Sequence, residues 1–308
     1  MANKKPAPKT KQRKASPAKL WVEGARLRTL PLAVAPVLVG WGAAASIQSF
    51  KPALAWLALA VALFLQIGVN YANDYSDGIR GTDEFRVGPL RLTGSKSVRP
   101  ELVKYAAFGF FGLAAVAGLA IVLITGFWWL LAVGAAAIVA AWFYTGGKSP
   151  YGYAGLGELA VFLFFGLVAT MGTAYIQIGS FDANSLFGGA AVGLFASAVL
   201  MINNIRDIDQ DVLAGKRTLA VKVGKKWAKS YFFAMLWLPF AVLLFFPYLY
   251  PATFFAWLAV LFVLPATLIA ATAKSPRELI LVLKLTSFAA LTFGIFFGYG
   301  LAVVNFSL

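Results

Sequence analysis

The sequence contains no cysteine and no histidine. Their absence excludes disulfides, Cys/His zinc centres, haem held by histidine and a Ser-His-Asp triad. Any metal this chain uses must be a hard ion held by oxygen, and Mg2+ is the expected choice. Acid is scarce as well: 12 aspartates and glutamates stand against 27 lysines and arginines, a formal net charge of +15. Charged residues fill only 13% of the 308 positions and hydrophobic residues 60%, against roughly a quarter and a half in a soluble domain. A chain so poor in charge cannot cover itself for water, so lipid must serve as solvent for much of its surface.

What is present is a series of long apolar runs. Residues 1–20 are basic and Pro-rich and read as a disordered basic cytoplasmic tail. Residues 21–308 read as one transmembrane domain, all-α, a bundle of about nine membrane-spanning helices. Expected spans are 30–47, 52–72, 105–125, 127–144, 159–178, 186–202, 231–248, 251–272 and 279–304. If nine helices alternate, 25 of the 27 basic residues fall on one side, with only Lys51 opposite and Lys284 inside the last span. By the positive-inside rule that side is cytoplasmic. The N-terminus is then cytoplasmic and the C-terminus extracytoplasmic, as in a multi-pass protein of the cell membrane. This asymmetry explains the +15 without nucleic acid as a partner; membrane lipid is the partner it implies.

Six of the seven aspartates lie in two short stretches, and Asp182 is the one outside them. The first, NYANDYSDGIRGTD, runs from Asn70 to Asp83; the second, NNIRDIDQD, from Asn203 to Asp211. Each holds Asn-x-x-x-Asp, Asn73 with Asp77 and Asn203 with Asp207, and residues four apart share a helix face. Asp211 extends the second face by a further turn. Asp83 would need the helix to break, which Gly78 and Gly81 permit. Asp74 sits about 100° round the helix from Asn73, which suits a supporting role or a proton-transfer role. Both stretches end helices on the cytoplasmic side, so the active site is expected at that face. Two facing carboxylate clusters repel unless divalent cations lie between them. Mg2+ commonly bridges carboxylates to substrate phosphates, so a diphosphate is the expected ligand. Arg80, Arg91, Lys216 and Arg217 are candidate diphosphate-binding cations, with Asn73 and Asn203 as neutral partners. A transporter is the rival of a different class, but its charged sites would lie near the midplane rather than at one interface.

NDYSDGIRGTD and NNIRDIDQD resemble the paired Asp-rich motifs of the UbiA superfamily of intramembrane prenyltransferases, and the resemblance covers nearly all of the chain after the tail. WVEGARLRTLPLAVAPVLVG, YTGGKSPYGYAGLGE and DVLAGKRTLAVKVG are similar to the branch acting on 1,4-dihydroxy-2-naphthoate. The resemblance implies a UbiA-type fold. It implies Mg2+ held by Asp77, Asp83, Asp207 and Asp211, and transfer from a polyprenyl diphosphate to 1,4-dihydroxy-2-naphthoate with loss of CO2, in menaquinone biosynthesis. Those four aspartates with Asn73 and Asn203 form the expected catalytic set. Arg28 and Lys148 are candidates for the acceptor carboxylate, and Tyr144 and Tyr151 for a ring hydroxyl. Siblings acting on 4-hydroxybenzoate or homogentisate are the alternative. The prenyl tail needs a slot between helices, which the abundant Gly and Ala permit.

Overall fold

The computed structural model describes residues 16–82 and 91–303. Asp83, and residues 1–15 of the expected tail, lie outside the described residues. Among the described residues there is no strand. The helices are α1 (Pro17–Ala25), α2 (Pro31–Ser46), α3 (Pro52–Ile79), α4 (Pro100–Thr125), α5 (Leu130–Phe143), α6 (Gly157–Ile178), α7 (Ala183–Leu213), α8 (Leu219–Leu249), α9 (Pro251–Thr272) and α10 (Glu278–Ala302). Seven of these are long and apolar enough to cross a membrane, and the bent pair α1–α2 makes up to eight. The apolar α5 is a further segment, but its 14 residues are short for a bilayer core.

Sequence punctuation explains where these helices begin. Proline opens α1, α2, α3, α4 and α9, where its missing N–H costs nothing. Ser16 caps α1 and Asp182 caps α7 through side-chain oxygens. The segment that begins with α1 and runs to Thr29 meets α2 at a bend of 49°, and within it Arg26, with a left-handed φ of 54° and ψ of 58°, ends α1 before a 3-10 turn at Leu27–Thr29.

The two helices that carry the Asp motifs outrun their apolar stretches. α3 has 28 residues and α7 has 31, longer than the expected 52–72 and 186–202. Their polar last turns stay helical because they bury against protein rather than lipid: Asn70, Asn73, Asp74 and Asp77 on α3, and Asn204, Arg206, Asp207 and Asp211 on α7, are all buried. α8 also starts earlier than expected, through a Lys-rich turn kinked at Gly224.

Helix contact depends on small residues, as it must where lipid is as apolar as the helix surface. A methyl group on Gly42 of α2 would meet the Gly298 carbonyl oxygen of α10 at 2.1 Å, and one on Gly298 would meet the Leu38 oxygen at 2.4 Å. Gly166 lies similarly close to Gly193, so α6 and α7 touch through backbone. Phe195, Phe240, Phe293 and Phe297 fill the core among α7, α8 and α10.

Candidate active site

The last turns of α3 and α7 meet at one end of the bundle and close a polar cavity of about 110 Å3. Asn73 and Asp77 line it from α3, and Asn203, Asn204, Asp207 and Asp211 from α7. The helical spacing thus brings both patches to one space. Asp77 is 4% exposed. Its Oδ1 takes Lys216 Nζ at 3.1 Å and the Tyr153 hydroxyl, and its Oδ2 faces Arg91 Nη2 at 3.8 Å. Asp207 is gripped by its neighbour: Arg206 donates Nε to Oδ1 at 2.7 Å and Nη2 to Oδ2 at 2.6 Å. The same Nη2 reaches Asn203 Oδ1 at 2.8 Å. Thr218 donates to Asp211 Oδ2 at 3.5 Å, and Thr145 to Asn73 Oδ1 at 2.7 Å.

These donors fit Mg2+. They are hard oxygens, carboxylates of Asp77, Asp207 and Asp211 beside the amide oxygens of Asn73 and Asn203. Among the described residues no three acidic side chains converge enough to hold a metal by themselves.

Asp74, on the adjacent face of α3, is fully buried and accepts the Leu92 and Thr93 backbone N–H groups at 2.8 Å each. It holds the 91–93 turn against the helix, and with it Arg91 over the cavity. The chain breaks after Ile79 as the glycines allowed: Gly81 has a φ of 70°, and the Thr82 N–H returns to the Asp77 carbonyl at 3.2 Å.

The candidate cations divide. Lys216 and Arg91 line the cavity. Arg80 instead donates to the Thr145 and Gly147 carbonyls, bracing the loop after α5. Arg217 is exposed, and only its backbone N–H serves the site region, bonding Tyr153 O at 2.9 Å. Arg28 and Lys148 are not among the cavity-lining residues, and Lys148 is exposed. Arg26 does line the cavity, and its Nη2 is buried without a hydrogen-bond partner.

A second cavity of about 460 Å3 runs among α2 to α6, walled mainly by Ala, Val, Leu and Gly. Its apolar lining and its place between helices are those expected of a slot for a greasy chain. Tyr144 walls both cavities, so it marks their junction. Burial, and next the charge of Glu158, hold its phenol far above the ordinary range. Tyr151 stacks edge-on against Tyr144 at 5.5 Å and donates its hydroxyl to Ala140 O at 2.9 Å. Burial pushes Tyr151 up to about 12. Burial and the adjacent Asp77 push Tyr153 up as well. All three remain neutral hydrogen-bond donors at physiological pH.

Sequence reading missed Arg26, Asn204, Tyr153 and Thr145 as cavity residues. Asn204 carried a signal, the doubled Asn of NNIRD. Arg26 carried a weaker one, since it precedes a Pro-opened helix by a few residues.

Residues 33–278 match the model of the UbiA prenyltransferase family. A Mycobacterium tuberculosis protein named 1,4-dihydroxy-2-naphthoate octaprenyltransferase is 56% identical over 204 residues, 66% of this chain and 70% of the relative. A Haemophilus influenzae protein of the same name is 38% identical over 92% of this chain and 96% of its own length. The fold is similar to a UbiA homologue from Aeropyrum pernix, with TM-score 0.67, 20% identity and coverage of 88% and 97% of the two chains. It is also similar to a UbiA homologue from Archaeoglobus fulgidus bound to GPP and Mg2+, with TM-score 0.65, 15% identity and coverage of 92% and 99%.

Proposed function

We propose, for a chain that belongs to the UbiA prenyltransferase family, that it transfers a polyprenyl group from polyprenyl diphosphate to 1,4-dihydroxy-2-naphthoate. The observation that carries the reading is the junction at Tyr144. There a small polar cavity holding both Asp motifs meets a larger apolar slot. A polyprenyl diphosphate has that shape and polarity: a charged head, a reactive carbon next to it, and a long apolar tail.

Asp77, Asp207 and Asp211 with Asn73 and Asn203 would hold Mg2+, which would neutralise the diphosphate and make it a better leaving group. Asp83 belongs to the same proposed set. Lys216 and Arg91 rest on Asp77 and can turn to phosphate oxygens once the head group arrives. Breaking the C1–O bond sends its electron pair to the diphosphate and leaves positive charge on C1. The electron-rich naphthalene ring supplies the new C–C bond. Loss of CO2 from the ring returns its bonding pair and yields demethylmenaquinone in its reduced form. We assign the step to menaquinone biosynthesis; the relatives are named for octaprenyl transfer to 1,4-dihydroxy-2-naphthoate.

Arg26 is the best-placed cation for the naphthoate carboxylate, since it lines the cavity and its buried Nη2 has no hydrogen-bond partner. The neutral Tyr144 phenol is the donor nearest a ring hydroxyl. We place the site on the cytoplasmic face of the cell membrane, with the N-terminus inside and the C-terminus outside, because 25 of the 27 basic residues fall on the side of the Asp motifs when nine helices alternate. The test is product identification by mass. Membranes containing the protein receive Mg2+, a polyprenyl diphosphate and either 1,4-dihydroxy-2-naphthoate or 4-hydroxybenzoate. Prenylation and decarboxylation of the naphthoate is expected; prenylation of the benzoate alone would overturn the acceptor.

A further inference from the structure

Glu158 is a buried acid with no role in the chemistry described so far. It opens α6 and is 3% exposed. Its Oε1 accepts the Asn204 amide at 2.9 Å, while its Oε2 is buried with no hydrogen-bond partner. Among the described residues no lysine or arginine forms an ion pair with it. Removing a carboxylate from water without a counter-charge is costly, and positive charge arriving beside it would offset that cost.

Its surroundings identify where that partner would form. The residue before it, Gly157, lies against Tyr144 and Leu200. A methyl group there would stand 3.2 Å from the Tyr144 hydroxyl oxygen and 3.1 Å from Leu200 Cδ2. Leu200 and Asn204, one turn apart on α7, both line the polar cavity. Tyr144 is the shared wall of that cavity and the apolar slot. Glu158 therefore sits behind the junction where head group and tail part company. On the reading of this chain as a prenyltransferase, the carbon at that junction is C1 of the allylic diphosphate.

We propose that Glu158 is the buried counter-charge for the cation that develops at C1 and passes to the acceptor ring, and that it also positions Asn204. When the C1–O electron pair leaves with the diphosphate, C1 becomes positive beside a fixed negative charge. When the ring attacks, the charge moves into the ring and remains in the same field. By accepting from the Asn204 amide nitrogen, Glu158 also fixes that side chain at the cavity wall, where its carbonyl oxygen would serve as acceptor for a ring hydroxyl. A purely architectural role is the alternative: Glu158 lies in the first turn of α6, where the helix dipole favours an acid, and it ties α6 to α7.

Glu158→Gln separates the two roles, because glutamine keeps an acceptor for Asn204 and removes the charge. Glu158→Asp keeps the charge at shorter reach. Wild type and both variants are assayed with Mg2+, polyprenyl diphosphate and 1,4-dihydroxy-2-naphthoate, and their thermal unfolding is measured in the same detergent. A unit charge near the reacting carbon is worth about 10- to 100-fold in rate at the effective dielectric of a protein interior. The expected result is a kcat loss of that order in Glu158→Gln with both KM values and the unfolding midpoint unchanged, and partial recovery in Glu158→Asp. Wild-type kcat in Glu158→Gln, a loss expressed in KM, or an aspartate variant no better than the glutamine variant would overturn the proposal. Failure of the wild type itself to prenylate the naphthoate would instead sink the underlying reading, whatever the variants do.

Discussion

Asp77→Asn separates two accounts of how the polar cavity holds a diphosphate. The side chain keeps its shape and still offers one oxygen to Tyr153 and Lys216, but loses its charge. In the resting protein Asp77 faces Lys216 at 3.1 Å and Arg91 at 3.8 Å, and the three side chains are 6%, 11% and 10% exposed. Losing one partner of a buried ion pair costs about 3–5 kcal/mol. Lys216 and Arg91 both sit on connecting segments between helices, where they can turn toward water, so a stability loss of about 1–3 kcal/mol is expected. The effect on substrate has a sign that decides. If cations alone bind the diphosphate, removing a nearby carboxylate makes the cavity more positive and tightens binding. If a carboxylate-held Mg2+ binds it, the variant binds more weakly and turns over about 100- to 1000-fold more slowly, the scale of losing one preorganised charge stabiliser. Initial rates across a Mg2+ titration, at saturating naphthoate and varied prenyl diphosphate, read both terms. A lower KM for the diphosphate with kcat near wild type would refute the metal-bridged account.

Arg26→Gln should raise KM for the naphthoate about tenfold or more, the value of one charged hydrogen bond, while leaving KM for the prenyl diphosphate near wild type; Arg28→Gln should do much less. Gly134→Phe should shorten the prenyl chain the protein accepts, read by competing diphosphates of different length, because Gly134 faces open slot with nothing within 4 Å of an added side chain. Gly298→Ala should destabilise the protein by about 1–3 kcal/mol of overpacking, read as a lower unfolding temperature in detergent, since its methyl would meet backbone of α2.

Much of the scaffold was legible in the sequence, because apolar run length and basic loops follow from the bilayer itself. The site was legible where it obeyed a helical period: Asn73 with Asp77, and Asn203 with Asp207 and Asp211, line one cavity as their spacing implies. It was illegible where the backbone leaves that period. Arg26 reaches the cavity from a left-handed joint between two helices, and Tyr153 from a short 3-10 turn. Arg80 looked like a phosphate ligand by composition, but its position at the end of α3 sends it to the carbonyls of the next loop. Asp74 sits between motif residues yet serves two backbone N–H groups, a need visible only once the 91–93 turn is folded against α3. Charge counts locate the polar end of the bundle; they do not assign each charge a partner.

The central claim is that two carboxylate patches on different helices hold divalent metal only together with a diphosphate. Titration of Mn2+ in place of Mg2+, followed by electron paramagnetic resonance, tests it directly on the purified protein. The account predicts tightly bound Mn2+ only when a non-reactive prenyl diphosphate analogue is present, and its loss in both Asp77→Ala and Asp207→Ala. Mn2+ bound equally well without the analogue, or retained with the analogue in either variant, would contradict it.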